Sequence, residues 1–312
     1  MPANPRPVES DSAHSKTPQA PGVASAMDRL HSLPQYLLPQ RLVTRGVHYI
    51  TRVRTPWIKN QLIRVFIRYF QVNMSEAAEP DARSYANFNA FFTRRLQPGA
   101  RPIADGEHTV CCPVDGTVSQ IGRIHGYTIF QAKGRYFSLR QLLGDDESRA
   151  LAFRNGDYTT LYLSPKDYHR IHMPVRGQLR EMVHIPGRLF SVSPVSTRVI
   201  PNLFARNERV VTLFETDLGP LAMVLVGALN VASIETVWAG PITPPLGTQI
   251  RAWRYPQSGP GAISLEKGME MGRFNMGSTV IVLFGRQAVQ WNPGVRPNVP
   301  VRMGARLGVR CY

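Results

Sequence analysis

Short runs of this chain carry the side chains that could do chemistry. One is Gly277-Ser278-Thr279, which leads straight into the apolar stretch Val280-Ile281-Val282-Leu283-Phe284. A serine hydroxyl can attack the carbonyl of the residue before it, and a glycine there, lacking Cβ, lets that peptide take the tight geometry such an attack needs. The same tripeptide is also an ordinary turn entering a β-strand. Another run is Tyr168-His169-Arg170-Ile171-His172-Met173-Pro174. His-x-x-His spacing could set both rings on one face of a helical turn as metal ligands. No Cys, Asp or third His stands at a matching spacing, so no metal is expected, and buried, hydrogen-bonded histidines are the alternative. The last is Pro113-Val114-Asp115-Gly116, a turn with an acid at its corner, which is commonplace as pure structure.

Taken together, Ser278, the histidines and Asp115 supply the parts of an activated nucleophile: a hydroxyl, an imidazole base and a carboxylate to orient the imidazole. The Gly-x-Ser-x-Gly elbow of the α/β-hydrolases is missing, because Ser278 is followed by Thr279 and Val280. The target this points to is intramolecular, the peptide bond between Gly277 and Ser278.

The elements that must position these groups fall into two styles. From Asp28 to about Val72, bulky apolar residues alternate with Arg29, Arg41, Arg45, Arg52, Arg54, Lys59, Arg64 and Arg68 against the single acid Asp28. On a helical wheel Ile58, Leu62, Val65, Phe66 and Tyr69 share one face, with Asn60, Gln61, Arg64 and Arg68 opposite. Such a helix can lie on an anionic bilayer or pack on the protein's own core. A helical stretch is expected around residues 84–96, and Pro98-Gly99 marks a boundary. Beyond it, β-branched runs punctuated by glycine and proline predict strands over 116–124, 158–163, 209–215, 221–226, 231–238 and 279–284, with short helices only at 138–143 and 147–153. The fold class expected is α+β or mainly β: a helical N-terminal layer (28–98) followed by a mostly antiparallel β catalytic domain (99–312). Residues 1–27 are Pro/Ala/Ser-rich, have no apolar signal-peptide core and read as a disordered tail.

Composition sets bounds. The 312 residues are 43% hydrophobic and 19% charged, enough for a full core. A formal net charge of +16 favours a polyanionic partner, either nucleic acid or an anionic membrane surface. Three cysteines, Cys111, Cys112 and Cys311, give no metal-ligand spacing and no even-numbered disulfide framework, which fits a reducing compartment. No transmembrane helix is visible, since the longest uncharged run, 218–234, is broken by Gly219-Pro220 and Gly227.

Longer motifs now combine with the short ones. Asp115 in Pro-Val-Asp-Gly, the 168–174 run, Pro201-Asn202-Leu203-Phe204-Ala205-Arg206-Asn207-Glu208-Arg209, Ile234-Glu235-Thr236-Val237-Trp238-Ala239-Gly240, and Gly272-Arg273-Phe274 before Gly277-Ser278-Thr279 stand in the order seen in the bacterial phosphatidylserine decarboxylases, which the chain resembles from roughly Leu33 to Phe284. Met276 departs from the leucine usual before Gly-Ser-Thr in that family, a near-isosteric apolar swap. The segments 1–27 and after Phe284 match less well and inherit nothing.

The resemblance implies a mechanism. His172, oriented by Asp115, draws the proton from Ser278, whose Oγ attacks the Gly277 carbonyl to give an ester. β-Elimination then cuts the chain into a large piece, 1–277, and a small piece, 278–312, whose first residue becomes a covalent pyruvoyl group after loss of ammonia. That pyruvoyl cofactor forms a Schiff base with the amine of phosphatidylserine, and loss of CO₂ yields phosphatidylethanolamine. His169 is implied to assist decarboxylation or protonation. The two fragments would stay together as a heterodimer, with room for a higher oligomer, at the cytoplasmic side of a bacterial cell membrane as a peripheral protein.

A lipid substrate without a transmembrane span also favours membrane docking by the basic amphipathic segment. Arg170 and Arg206, near the motifs, are candidates for holding the lipid phosphate. No nucleic-acid partner is expected, because the β region has no RNA-binding signature, zinc-finger spacing or aromatic-basic stacking pattern. Two alternatives remain: a basic binding protein that is never cut, and a serine hydrolase acting on another molecule.

Overall fold

The computed structural model describes residues 40–132, 134–228, 233–243, 249–275 and 278–311. The tail 1–27 and both Met276 and Gly277 lie outside the described residues.

A helical layer comes first: α1 (Gln40–Ile50), α2 (Pro56–Phe70) and the short α3 (Phe88–Phe92). Helix α2 starts on a proline in its first turn, where a missing N–H costs nothing, and stops at Gln71 in the left-handed region. Asn87 caps α3 by accepting the Ala90 N–H. Ile63 and the half-buried Phe66 and Phe70 of α2 pack on Phe88, Phe91 and Phe92, a small aromatic core of its own.

The wheel drawn from the sequence needs correcting here. Trp57, Val65 and Tyr69 point to solvent at 75%, 58% and 78% exposure, on the same side as the exposed Arg64 and Arg68. Lys59 is buried, its Nζ donating to the Arg83 carbonyl at 2.9 Å. The helix is thus apolar on two sides, and periodicity could not separate the side facing the aromatic core from the side facing out. The helix expected over 84–96 is shorter, a 3₁₀ turn at Ala82–Ser84 followed by α3.

Beyond the layer the chain is β-rich, and every pairing between its named strands is antiparallel, as an α+β, mainly β chain requires. The strands that position the site are β1 (Gly116–Arg123), β2 (Asp157–Leu163), β3 (Arg170–His172), β4 (Gly177–Ile185), β5 (Arg209–Thr216), β6 (Gly219–Val226), β7 (Ile234–Thr236), β8 (Arg251–Arg254), β9 (Glu270–Phe274) and β10 (Ser278–Phe284). A nine-stranded sheet runs β8-β4-β5-β6-β10-β2-β1 with two short edge pieces. Strand β10 lies between β6 and β2, and all seven of its residues are buried. That central place explains its unbroken apolar run: no face is left for alternating polar residues. A smaller four-stranded sheet carries β7-β9-β3.

Short helices at Leu139–Leu142 and Glu147–Leu151 occur where expected, but Pro194–Val199 and Leu203–Arg206 are helical as well. Of the strand expected over 231–238, only Ile234–Thr236 is strand among the described residues.

Candidate active site

Ser278 opens β10 and pairs with Leu163, the last residue of β2. It has no exposed surface, and its Oγ has no hydrogen-bond partner among the described residues; the neighbouring Thr279 hydroxyl is also unpartnered. A buried hydroxyl left unpaired forfeits about 1–3 kcal/mol of solvation, so such a group is rare unless reserved for another purpose. The last described residues before it, Phe274 and Asn275, are both held. The Phe274 N–H donates to the His169 carbonyl at 3.0 Å, and the Asn275 N–H to the Ser233 carbonyl at 2.8 Å. Asn89, in α3, donates from Nδ2 to Asn275 Oδ1 at 3.0 Å, tying the helical layer to this corner.

After Leu163 the chain turns, with Asp167 accepting from both N and Oγ of Ser164 at 2.7 Å, and delivers the two histidines. The sequence spacing suggested one helical face. The segment is instead extended, with β3 spanning Arg170–His172, and in extended chain a separation of three places side chains on opposite faces. The two rings accordingly share no partner. His169 Nδ1 lies 2.9 Å from the Asp167 carbonyl, which can only accept, so Nδ1 carries the proton and Nε2 the lone pair. Nε2 is buried and unpartnered, and the ring meets Phe92 edge-on with centroids 4.1 Å apart. Burial pushes the His169 pKa down to about 3, and the nearby Arg94 cation pushes the same way. The ring is a neutral base at physiological pH.

His172 donates from Nδ1 to the Gly268 carbonyl at 2.8 Å and accepts the Tyr168 hydroxyl at Nε2, 3.0 Å away. Burial lowers its pKa, opposed by the Gly268 bond and by the charges of Glu270 and Asp115. Asp115 sits close enough to act through space but makes no hydrogen bond to the ring. Its carboxylate is gripped by Arg101, Nε to Oδ1 at 2.9 Å and Nη2 to Oδ2 at 2.6 Å, and by the Met303 N–H at 2.8 Å. Arg101 is held in turn by Glu76 at 2.7 Å. In this arrangement His172 is oriented by Gly268 and Tyr168 rather than by direct contact with Asp115.

The glycine after Asp115 has its own reason. A Cβ on Gly116 would stand 2.3 Å from the Tyr162 carbonyl oxygen, so only glycine lets β1 lie this close to β2. Beside Asp115 and His172 is a cavity of about 240 Å³ lined by Arg95, Arg101, Tyr168, Glu270 and Met303 among others.

Sequence reasoning missed Arg101, Glu76, Gly268 and Arg94 as parts of this site, and passed over Tyr168 inside its own motif. An arginine in Pro-Gly-Ala-Arg-Pro gives no sign of its partner until the fold brings Asp115 to it. Of the candidate phosphate ligands, Arg170 is committed to the Thr93 carbonyl at 3.0 Å and to Glu270 at 2.7 Å, and Arg206 lies over the Phe190 ring at 5.0 Å. The Cys111 and Cys112 thiols are buried against the Met173 and Val114 carbonyls, and burial raises both pKa values, that of Cys111 to about 11. They are inert core groups. No cluster of three metal-ligating side chains occurs among the described residues.

Comparison with known proteins gives this arrangement a family. The profile described as phosphatidylserine decarboxylase matches residues 88–309, and one described as PSD matches residues 30–71. The phosphatidylserine decarboxylase proenzyme of Methylococcus capsulatus is 52% identical over 280 residues, covering 90% of this chain and 96% of the relative. That of Stutzerimonas stutzeri is 53% identical over 281 residues, covering 90% and 94%. That of Alkalilimnicola ehrlichii is 57% identical over 260 residues, covering 83% and 90%. The chain belongs to the phosphatidylserine decarboxylase family.

Proposed function

From that membership we propose that this enzyme decarboxylates phosphatidylserine to phosphatidylethanolamine, using a pyruvoyl group made from its own Ser278 after cleavage of the Gly277–Ser278 bond. The observation that carries the proposal is the buried, unpartnered Ser278 Oγ at the start of a central strand. A hydroxyl with no bond to give up is ready to attack the neighbouring carbonyl, and it fits a residue that is consumed in becoming a cofactor.

His172 Nε2 is the proton acceptor for that attack, with Tyr168 covering it in the resting arrangement at 3.0 Å. For His172 to take the serine proton, Nε2 must first release the Tyr168 hydroxyl. Asp115, held rigid by Arg101, sets a negative charge beside the ring that favours the imidazolium formed when the proton arrives. The pyruvoyl group supplies a carbonyl that condenses with the substrate amine and accepts the electrons left when CO₂ departs. His169 presents a buried, unpartnered Nε2 lone pair. It can serve the second chemistry by taking up a proton there and passing that proton to the carbon that CO₂ leaves, its pKa of about 3 making it a ready donor once charged.

Delivery of the lipid falls to α2. No described helix is long and apolar enough to cross a membrane. Trp57, Val65 and Tyr69 are exposed beside Arg64 and Arg68, a face that can sink aromatic groups to headgroup depth while arginines meet anionic phosphates. The protein would work as a peripheral enzyme on the cytoplasmic face of the cell membrane, its two fragments held together by the β6-β10-β2 pairing.

The test is release of labelled CO₂ from phosphatidylserine vesicles, with cyanoborohydride added during turnover. The expected result is CO₂ together with a lipid adduct on the 278–312 fragment. Vesicle binding with neither CO₂ nor adduct would leave only a basic lipid-binding protein.

A further inference from the structure

Arg94 follows Thr93, the residue that caps the end of α3, and is 4% exposed. One of its nitrogens, Nη2, donates to the Lys166 carbonyl at 3.0 Å, and the guanidinium lies over the Phe91 ring at 5.5 Å. Its Nε and Nη1 are buried without a partner, and it makes no ion pair among the described residues. Burial lowers its pKa, yet a guanidinium remains charged at any physiological pH. An unpaired buried cation is among the costliest features a fold can keep, and one survives only where something else compensates.

Nearby carboxylates do not supply that compensation. Asp115 and Asp167 are near enough to be felt, but neither bonds to Arg94: Asp115 is held by Arg101 and Met303, and Asp167 accepts from Ser164 through Oδ2. Other buried arginines around the site are engaged, Arg101 by Asp115 and Glu76 and Arg170 by Glu270, while Arg95, which lines the cavity, is exposed and bears no burial cost. Arg94 also acts electrostatically on His169, whose Nε2 is likewise unpartnered among the described residues.

We infer that Arg94 is the anion subsite of the lipid headgroup and that it receives the phosphodiester, its Nε and Nη1 hydrogens meeting phosphate oxygens when substrate binds. The inference rests on the proposed phosphatidylserine substrate. That headgroup carries two anions, and the chemistry chooses between them. Loss of CO₂ turns the carboxylate into a neutral molecule, so a guanidinium bound to it would be stronger in the ground state than in the transition state and would slow the reaction. The phosphodiester keeps its charge throughout, and binding it costs the chemical step nothing. Position agrees: Arg94 lies between the outward-facing helix α2, packed on α3, and the loop that carries His169.

The test is competition on cleaved enzyme, normalised to the fraction cut at Gly277, with two short-chain probes. Phosphatidylglycerol has the phosphodiester but no amine or carboxylate; O-octanoylserine has the amine and carboxylate but no phosphate. Arg94→Met should weaken inhibition by phosphatidylglycerol, and raise KM for short-chain phosphatidylserine, by about 10- to 100-fold, the range for charge-assisted hydrogen bonds in a buried site. O-octanoylserine should inhibit both enzymes alike, and Arg94→Lys should recover part of the loss. Because Arg94→Met removes an unpaired cation, its melting temperature should equal or exceed that of the wild type; Arg94→Gln serves if the methionine variant does not fold. Selective loss of O-octanoylserine binding would place the carboxylate at Arg94, and unchanged binding of both probes would make Arg94 structural; either overturns the inference. A wild type that releases no CO₂ sinks the substrate reading instead, and direct titration of wild type and variant with phosphatidylglycerol still decides the subsite.

Discussion

Two corners of the site treat their polar groups in opposite ways. Around Asp115 everything is bonded: both carboxylate oxygens accept from Arg101, one also from Met303, and Arg101 is backed by Glu76. By contrast the Ser278 Oγ, His169 Nε2 and two Arg94 nitrogens have no partner among the described residues. The first corner is finished when the chain folds, while the second is finished only by a reaction or a ligand. In the proposed mechanism the bonded Asp115–Arg101 group holds geometry, the unpartnered groups await a reaction or a ligand, and His172, bonded at rest, must release Tyr168 to act. Stability should therefore respond to mutation in opposite senses at Asp115 and Ser278.

The sharpest break of that contrast is Ser278→Ala. It should abolish both cleavage and decarboxylation while leaving the midpoint of urea unfolding equal to or above that of an uncut reference, because it deletes an unsatisfied hydroxyl. Asp115→Ala should also give an uncut chain, and here stability should fall by about 3 kcal/mol, the low end for breaking a buried pair, since Arg101 keeps Glu76. His172→Ala should likewise stay uncut. If Ser278→Ala proves the less stable of the serine and aspartate variants, the contrast fails.

Smaller in effect is His169→Ala, which should be cut normally yet turn over phosphatidylserine about 10²- to 10⁴-fold more slowly, the usual loss of a proton-transfer group. An uncut His169→Ala protein would erase the division of labour between the two rings. His169 also gives a pH signature. Its folded pKa of about 3 lies below the ordinary 6.5, so between those values the unfolded chain binds the extra proton. Stability from this group is complete above pH 6.5 and is lost as pH falls towards 3, with His172, also lowered by burial, adding to the slope. Urea midpoints measured across that window should fall with acid in wild type and fall less in His169→Gln.

The smallest effect expected is on docking. Trp57→Ala with Tyr69→Ala should reduce flotation with anionic liposomes about tenfold, a fraction of the about 1.5–3 kcal/mol that full burial of each side chain would give, because the rings reach only headgroup depth, and should leave the fold intact because both are exposed. Equal flotation would remove α2 from the docking surface.

Much of the framework at the Ser278 corner was legible. Val280–Phe284, apolar throughout, marked a strand, and the punctuated β-branched runs marked a mostly antiparallel β domain. What the sequence could not convey was pairing at long range. The partner of Asp115 is an arginine fourteen residues earlier that is braced by Glu76, and nothing local marks either. The two histidines misled for a related reason: a spacing of three means one face only in a helix, and the strand β3 separates the rings. Helix α2 hid its orientation because both its inward and outward sides are apolar, and only packing on α3 tells them apart.

The central claim concerns one bond, and intact-mass analysis of the purified protein addresses it directly. The account predicts two fragments, 1–277 and 278–312, the smaller lighter by one ammonia than a peptide beginning with serine. A single full-length mass from protein that releases CO₂ from phosphatidylserine would contradict it.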